Sequence, residues 1–177
     1  MLLLYNWCVR WTENPEDAVR FRVGAPSFKS RESIMLFIQN VGASDIPTGN
    51  HFDCGENSML IQISDPPCLP KFSTPWIPTP KHKFKEIHHF DFLDIEDSDP
   101  MVDKFGITDE QAKKLVELLE HARKNKMQVV VHCFAGVCRS GAVVEVGIMM
   151  GFADTEAFRI PNTRVKTKML DALEMLG

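Results

Sequence analysis

The sequence predicts an α/β fold with a central, mostly parallel sheet of four to five strands flanked by helices. Two apolar, β-branched runs, residues 59–63 and 127–131, have the composition of strands buried in such a sheet. Segments with helical periodicity alternate with the strands along the chain, which is typical of parallel strands joined by crossover helices. At 177 residues the chain is long enough for one sizeable core and short for two, which predicts a single domain over residues 1–177.

Composition and charge are those of an ordinary globular protein, with 44% apolar and 25% charged residues and a net charge of -4. We therefore expect no general attraction to nucleic acid or to a membrane surface, and no apolar run approaches the roughly 18 residues needed to span a bilayer. The cysteines are odd in number and lack a Cys-x2-Cys pair, so we expect reduced thiols in the cytoplasm and no metal site. They are Cys8, Cys54, Cys68, Cys133 and Cys138.

The first third of the chain suggests two strands and one helix. Residues 2–7 are apolar and aromatic and predict a first strand. Residues 31–40 predict a short helix, because Ser30 could cap its start and Gly42 lies just beyond its end. Residues 44–56 are rich in Gly, Asn, Asp and Pro and predict a surface loop before the strand at 59–63.

The middle of the chain holds a proline-rich segment and a small basic cluster. Residues 66–80 contain six prolines, so we expect an extended surface segment without regular structure. Lys81, Lys83 and Lys85 follow it. Short charge clusters are usually solvated edges, and we favour that interpretation here over recognition of an acidic or phosphorylated partner.

The second half alternates strands and helices more clearly. Residues 86–95 predict a strand that leads into an acidic loop, and Thr108 and Gln111 form a capping box for a helix that ends near Lys126. The strand at 127–131 follows, and then an apolar helix over 141–150. Asn162 can cap a final amphipathic helix.

The most informative stretch lies between that last strand and the helix after it. The strand ends in His132 and Cys133, five residues intervene, and Arg139 and Ser140 open the helix. A loop that closes onto a helix N-terminus directs backbone N–H groups and the positive end of the helix dipole towards one point, where a phosphate can bind. The same field favours a thiolate at Cys133, and the planar guanidinium of Arg139 can hold two phosphate oxygens.

The motif His132-Cys133-x5-Arg139-Ser140-Gly141 resembles the signature loop of the cysteine-based protein tyrosine and dual-specificity phosphatases. The resemblance implies a dual-specificity-phosphatase-like fold and a hydrolase that needs neither metal nor cofactor. It is strong over residues 90–150 and only topological before them. A buried cysteine with an incidental arginine nearby is the competing interpretation, and the joint match of five residue types argues against it.

The resemblance also implies a role for each residue of the loop. Cys133 would be the nucleophile, Arg139 would bind the phosphate and the transition state, and Ser140 would donate a hydrogen bond to the thiolate. His132 would help to stabilise that thiolate, although a purely structural histidine fits almost as well. The phosphate-binding loop would comprise Phe134, Ala135, Gly136, Val137, Cys138 and Arg139.

A phosphatase of this kind needs a general acid to protonate the leaving oxygen, and relatives place it upstream of the cysteine, after a strand and before a helix. Here that place is the acidic loop with Asp94, Glu96, Asp97 and Asp99. Glu96-Asp97 resembles the frequent Glu-Asp pair of the family, so Asp97 is our first choice. Asp94 is the second, because Phe92-Leu93-Asp94-Ile95 resembles a pattern in some bacterial relatives.

Cys138 departs from the usual loop of dual-specificity enzymes. Its spacing, Cys133-x4-Cys138, resembles the low-molecular-weight tyrosine phosphatases, but those enzymes carry the loop near the N-terminus and the acid downstream. The order found here favours the dual-specificity topology. The spacing still predicts that Cys138 can trap oxidised Cys133 as a reversible disulfide.

The leading functional hypothesis is a phosphatase of phosphorylated proteins, acting on phosphotyrosine and, more broadly, on phosphoserine and phosphothreonine. Residues 134–138 contain no Lys or Arg, which argues against inositol lipids, and no phosphotyrosine-recognition motif is present. Alternatives are a phosphatase of RNA 5' ends, the one case with a nucleic-acid partner, or of small esters, and a phosphate-binding module without turnover. A rhodanese-like sulfur carrier would not require Arg139-Ser140 or the acidic loop. The sequence does not determine the oligomeric state.

Overall fold

The computed structural model describes residues 34–67 and 77–176. Its five strands form one sheet in the order β3-β2-β4-β1-β5, and every neighbouring pair is parallel. This confirms the predicted α/β fold with a parallel sheet of four to five strands. The strands are β1 Phe37–Gly42, β2 Ser58–Ser64, β3 Glu86–Asp91, β4 Gln128–Cys133 and β5 Ala153–Asp154.

Helices connect these strands, and two are single turns. The long helices α3 and α5 begin with the predicted caps: Thr108 and Gln111 form the capping box of α3, and the Asn162 side chain accepts a hydrogen bond from the Val165 N–H at the start of α5. The helices of the described residues are α1 Asp45–Thr48, α2 Val102–Phe105, α3 Asp109–Lys124, α4 Arg139–Met149 and α5 Thr163–Glu174.

The main core lies between the sheet and helices α3, α4 and α5. Val129 and Val131 of β4 are fully buried on this face, where burying such a side chain is worth about 1.5–3 kcal/mol. Val130 points to the other face, where a smaller cluster includes Ile46 of α1 and Phe84. Both faces of the central strands are therefore covered, as a buried parallel sheet requires.

The strand register places the functional residues at one edge of the sheet. Gly42 pairs with Cys133, and Ser64 pairs with Asp91. Because the carboxyl ends of parallel strands meet at the same edge, the residues that follow β1, β2, β3 and β4 converge there. The site is built from those four connections.

One helix prediction is wrong. Residues 31–40 were expected to form a helix, but Phe37–Gly42 is strand β1, paired on both sides with β4 and β5. The apolar run suits either structure, and β-branched Ile38 and Val41 fit the pleated surface they share with β4. Tertiary pairing decided the outcome over a weak local signal.

Smaller differences concern element boundaries. The expected surface loop at 44–56 contains the single turn α1, the strand predicted for 86–95 ends at Asp91, and α4 begins at Arg139 rather than at residue 141. The predicted strand at 2–7 and part of the proline-rich segment lie outside the described residues. The single domain over 1–177 stays a prediction. No helix within residues 34–67 and 77–176 has the length and hydropathy for a membrane span.

Candidate active site

The loop of residues 133–139 joins the last residue of β4 to the first residue of α4. Cys133 is only 2% exposed, and its Sγ lies 3.2 Å from the Oγ of the buried Ser140. Ser140 sits in the first turn of α4, so the helix N-terminus faces the same region as the thiol. The structure thus brings together the two residues for which the sequence suggested a thiolate–hydroxyl hydrogen bond.

The carbonyl groups of this loop are turned outwards and are held there by hydrogen bonds. Four of them accept from backbone N–H groups or from an asparagine side chain that lie outside the loop. The pairs are Phe134 O with Ala43 N (3.1 Å), Gly136 O with Asn40 Nδ2 (2.7 Å), Val137 O with Ile160 N (3.3 Å) and Cys138 O with Asn162 N (3.1 Å).

The outward carbonyls fix the direction of the amides. In a trans peptide the N–H of one residue points away from the C=O of the residue before it, so the amides of residues 135, 137, 138 and 139 point to the inner side of the loop. Among the described residues, the N–H groups of residues 135–138 donate no hydrogen bond. The loop therefore presents amide donors without protein partners on its inner side, an arrangement suited to an anion.

Gly136 allows the loop to pack against the end of β1. Its φ is +75°, in the left-handed region that favours glycine, and a Cβ at this position would lie 2.3 Å from the Gly42 nitrogen and from the Val41 carbonyl carbon. No side chain fits there. The close approach of the two backbones therefore requires glycine.

The Asn40 side chain also holds the 133–139 loop against β1. The side chain is 4% exposed, and its Nδ2 donates to Gly136 O (2.7 Å) and to Phe158 O (2.9 Å). It thereby links β1, the 133–139 loop and the segment before α5. Sequence reasoning missed this residue, and the available signal was the polar pair Gln39-Asn40 within an apolar run.

Arg139 is held by two acceptors on one nitrogen. Nη1 donates to Asp65 Oδ1 (2.7 Å) and to Phe92 O (2.8 Å), and the Arg139 side chain is 5% exposed. Nε is buried without a hydrogen-bond partner in the described chain. The Nε edge of the guanidinium therefore remains available as a donor for a bound anion. Sequence reasoning missed Asp65, whose signal was an acidic residue directly after a buried strand.

Asp94 lies beside the loop. Its Oδ1 accepts from Asn162 Nδ2 (2.9 Å), the residue whose backbone N–H also holds Cys138 O. Burial, and after it the nearby Asp94 carboxylate, raises the pKa of the Cys138 thiol. Asp94 is thus in direct electrostatic contact with the loop.

Asp97 and Glu96 face α5 instead. Asp97 is exposed and forms an ion pair with Arg164. Glu96 accepts from the backbone N–H groups of Thr163 (3.0 Å) and Arg164 (3.1 Å), so it caps the start of α5. Burial alone would raise the pKa of Glu96, but the hydrogen bonds from Thr163 and Arg164 outweigh it, and the pKa is lowered.

His132 points away from the thiol, to the opposite face of the sheet, as the alternation of a strand requires. It is 1% exposed, and neither ring nitrogen has a partner at hydrogen-bond geometry within the described residues. Burial lowers the pKa of His132 to about 4, so the ring is neutral at pH 7. A positive charge on His132 therefore does not contribute to thiolate stability at that pH.

The basic cluster lies elsewhere. Lys85 Nζ donates to Asn57 Oδ1 (3.0 Å) just before β2, at the amino edge of the sheet, and Lys81 Nζ donates to Thr48 O (3.4 Å). These contacts do not reach the 133–139 loop. In the part of the chain that the structure describes, no group of three or more His, Cys, Asp or Glu side chains is arranged to hold a metal ion.

Comparisons with known proteins support a family and a fold. The family model described as Protein-tyrosine phosphatase matches residues 79–170, which include β3, the acidic loop, the 133–139 loop and α4. No curated protein matches the chain.

Two human crystal structures share the fold. DUSP28 is 13% identical with a TM-score of 0.50, and the alignment covers 78% of this chain and 92% of that one. The tyrosine phosphatase-like serine/threonine/tyrosine-interacting protein is 15% identical, with the same TM-score and coverage. At these identities the two structures support the fold alone.

Proposed function

This chain belongs to the protein-tyrosine phosphatase family, and from that premise we propose that it is an active phosphatase of phosphorylated proteins that works through a cysteinyl-phosphate intermediate. One observation carries the proposal. Cys133 begins the 133–139 loop, whose carbonyl groups are bound on its outer side, and its Sγ lies 3.2 Å from the Ser140 hydroxyl, while Arg139 Nε has no hydrogen-bond partner in the described chain. A nucleophile and a cradle for its phosphate are thus built into one loop.

The proposed reaction has two steps. The Cys133 thiolate attacks phosphorus, and the amides and Arg139 bind the oxygens on which charge accumulates while the ester oxygen leaves. A carboxylic acid protonates that oxygen. Water then attacks the cysteinyl phosphate with the same carboxylate as base, and the Ser140 hydroxyl stabilises the departing thiolate.

We propose Asp94 as this acid, with Asp97 as the alternative. Asp94 accepts a hydrogen bond from Asn162, whose backbone N–H binds Cys138 O, and it lies two residues after the Phe92 carbonyl that binds Arg139. Asp97 is exposed and forms an ion pair with Arg164 of α5, and no hydrogen bond of the described residues joins it to the 133–139 loop. This reverses the order that motif resemblance suggested.

The proposed substrate is a phosphoprotein, with phosphotyrosine favoured and phosphoserine and phosphothreonine as the wider range. A phosphatase of RNA 5' ends or small esters is the alternative among enzymes. A phosphate-binding module without turnover is less well supported, because Cys133, Arg139 and Ser140 are all in place. Thiolate catalysis requires a reduced Cys133, so we propose a reducing compartment such as the cytoplasm.

Hydrolysis of p-nitrophenyl phosphate in EDTA tests the proposal directly. We expect turnover by the wild type and none by Cys133→Ser, since a hydroxyl is a far weaker nucleophile than a thiolate. Equal rates for the two proteins would refute an enzymatic function. A panel of phosphopeptides, a 5'-phosphorylated RNA and sugar phosphates then separates the substrate classes.

The acid is identified by leaving-group dependence. Asp94→Asn should lower kcat for phenyl phosphate, whose leaving group needs protonation, by about 10²–10⁴-fold, and should affect p-nitrophenyl phosphate much less. Asp97→Asn is the matched comparison, and it should change both rates equally and slightly. The opposite pattern would assign the acid to Asp97.

A further inference from the structure

We propose that Phe134, Phe158 and Ile160 form an apolar rim beside the 133–139 loop that binds apolar side chains flanking the phosphorylated residue of a peptide substrate. This inference rests on the proposed function and specifies its substrate class. It predicts a monophosphorylated peptide with aliphatic or aromatic neighbours, in preference to a polyanion or an acidic peptide.

All three side chains are apolar and largely exposed. Phe134 is 70% exposed, Phe158 is 73% exposed and Ile160 is 62% exposed. A single exposed apolar residue needs no explanation, but several around one concave anion-binding loop are typical of a recognition surface.

Chain position and hydrogen bonds fix the three residues to the loop. Phe134 directly follows Cys133. The amide of Asn40 that binds Gly136 O also binds Phe158 O at 2.9 Å, and Ile160 N donates to Val137 O at 3.3 Å. The segment that carries Phe158 and Ile160 is therefore fixed along the outer side of the 133–139 loop, next to the proposed phosphate site.

The charges around the rim are neutralised by ion pairs. Arg159 is paired with Asp154 and with Glu145, which also binds Lys166, and Arg164 is paired with Asp97. A polyanionic substrate such as an inositol polyphosphate would therefore find little free positive charge beyond one phosphate position. Apolar contact is the remaining source of affinity that these residues can supply.

A pair of phosphotyrosyl peptides tests the rim. One carries Leu and Phe next to the phosphotyrosine, and the other carries Ser and Gly. Burial of one or two flanking side chains should give the wild type about a tenfold higher kcat/KM for the apolar peptide. Phe158→Ser and Ile160→Ser should reduce this ratio to about twofold.

Met175→Ser is the matched control, because Met175 is 86% exposed near the end of α5. Within the described residues, no hydrogen bond joins Met175 to the 133–139 loop. It should leave the peptide ratio at its wild-type value. The Cys133→Ser protein provides a readout without turnover, since it should bind the apolar peptide with about a tenfold lower Kd than the polar one.

The outcomes separate the two proposals. Turnover of p-nitrophenyl phosphate with equal kcat/KM for both peptides would overturn the rim and leave the phosphatase function standing. No turnover of any substrate above Cys133→Ser would overturn both. A ratio that falls equally in Met175→Ser, or an inositol polyphosphate or 5'-phosphorylated RNA hydrolysed faster than both peptides, would also overturn the rim.

Discussion

Arg139 and Asp65 form an ion pair with 2.7 Å between Nη1 and Oδ1, although 74 residues separate them in the chain. The pair joins the end of β2 to the start of α4. Nη1 also donates to Phe92 O, so the guanidinium is fixed in its plane by two acceptors on one corner. In the proposed reaction Arg139 binds phosphate oxygens, and these contacts would orient it before the substrate binds.

We predict that Asp65→Asn lowers kcat/KM for phosphate monoesters by about 10-fold to 100-fold, because a displaced guanidinium no longer meets the transition state. Competitive inhibition by inorganic phosphate should weaken in parallel. Steady-state kinetics and phosphate inhibition constants measure both effects.

Asp171→Asn, an exposed carboxylate on α5, controls for the loss of one negative charge. A drop in activity that follows only the melting temperature, with an unchanged phosphate inhibition constant, would show that Asp65 supports the fold rather than Arg139.

Gly136→Ala should strongly lower kcat/KM, whereas the same substitution at Gly55 should be tolerated. The new Cβ would lie 2.3 Å from the Gly42 nitrogen, so the loop must move away from β1. The inward amides would then no longer point to one site. We expect at least a 100-fold loss of kcat/KM, since a 1 Å displacement of catalytic groups can cost about that much.

Gly55→Ala is the control for backbone strain alone. Gly55 has a similar φ of +62°, but nothing lies within 4 Å of its Cβ position. The substitution should cost about 1–2 kcal/mol of stability and leave kcat/KM near the wild-type value. Equal losses of activity in the two variants would mean that strain, not the contact with β1, governs Gly136.

The parts of the structure that the sequence predicted are those encoded by neighbouring residues. The capping box of Thr108, the Asn162 cap and the loop between Cys133 and Arg139 each lie within a few positions of one another, so their spacing carries the information. The strand that ends at Cys133 was also predicted, because a continuous run of β-branched residues favours a buried strand.

The parts that were missed depend on distant contacts. Strand β1 was interpreted as a helix because its apolar run does not show its partner, and Asn40 gains its role only from Gly136 and Phe158. Asp65 meets Arg139 only because the parallel register brings the strand ends together. Pairing across the sheet, not local propensity, builds this site.

His132 should make stability fall as the pH is lowered from about 6.5 to about 4. Burial depresses its pKa to about 4 from an ordinary value of 6.5, with smaller contributions from His89 and Arg139 in the same direction. In this window the unfolded chain binds the proton and the folded chain does not, so the stabilisation present above pH 6.5 is lost as the pH falls. The shift corresponds to about 3 kcal/mol.

Urea unfolding of the wild type and His132→Leu at pH 7 and pH 4 measures this effect. The free energy of unfolding of the wild type should drop by about 3 kcal/mol more than that of the variant, because only the wild type carries the buried imidazole. Parallel pH dependence in the two proteins would show that His132 can be protonated in the folded state.

Cys138 should protect Cys133 from irreversible oxidation. Peroxide converts the Cys133 thiolate to a sulfenic acid, and the Cys138 thiolate then attacks that sulfur, forming a disulfide as hydroxide leaves. Both cysteines belong to the 133–139 loop, five residues apart, and burial followed by the Asp94 carboxylate raises the pKa of the Cys138 thiol. Peroxide-treated wild type should therefore regain activity with dithiothreitol, whereas Cys138→Ser should lose activity permanently as Cys133 proceeds to the sulfinic acid.

The raised pKa adds a pH dependence to this protection. Only the thiolate of Cys138 attacks, so below its pKa closure of the disulfide should accelerate about tenfold for each pH unit. Recovery of activity after a fixed peroxide pulse should accordingly be more complete at pH 8.5 than at pH 7. Recovery that is independent of pH, or equal in Cys138→Ser, would assign the protection to another thiol, and Cys54→Ser tests the other buried free cysteine of the described chain.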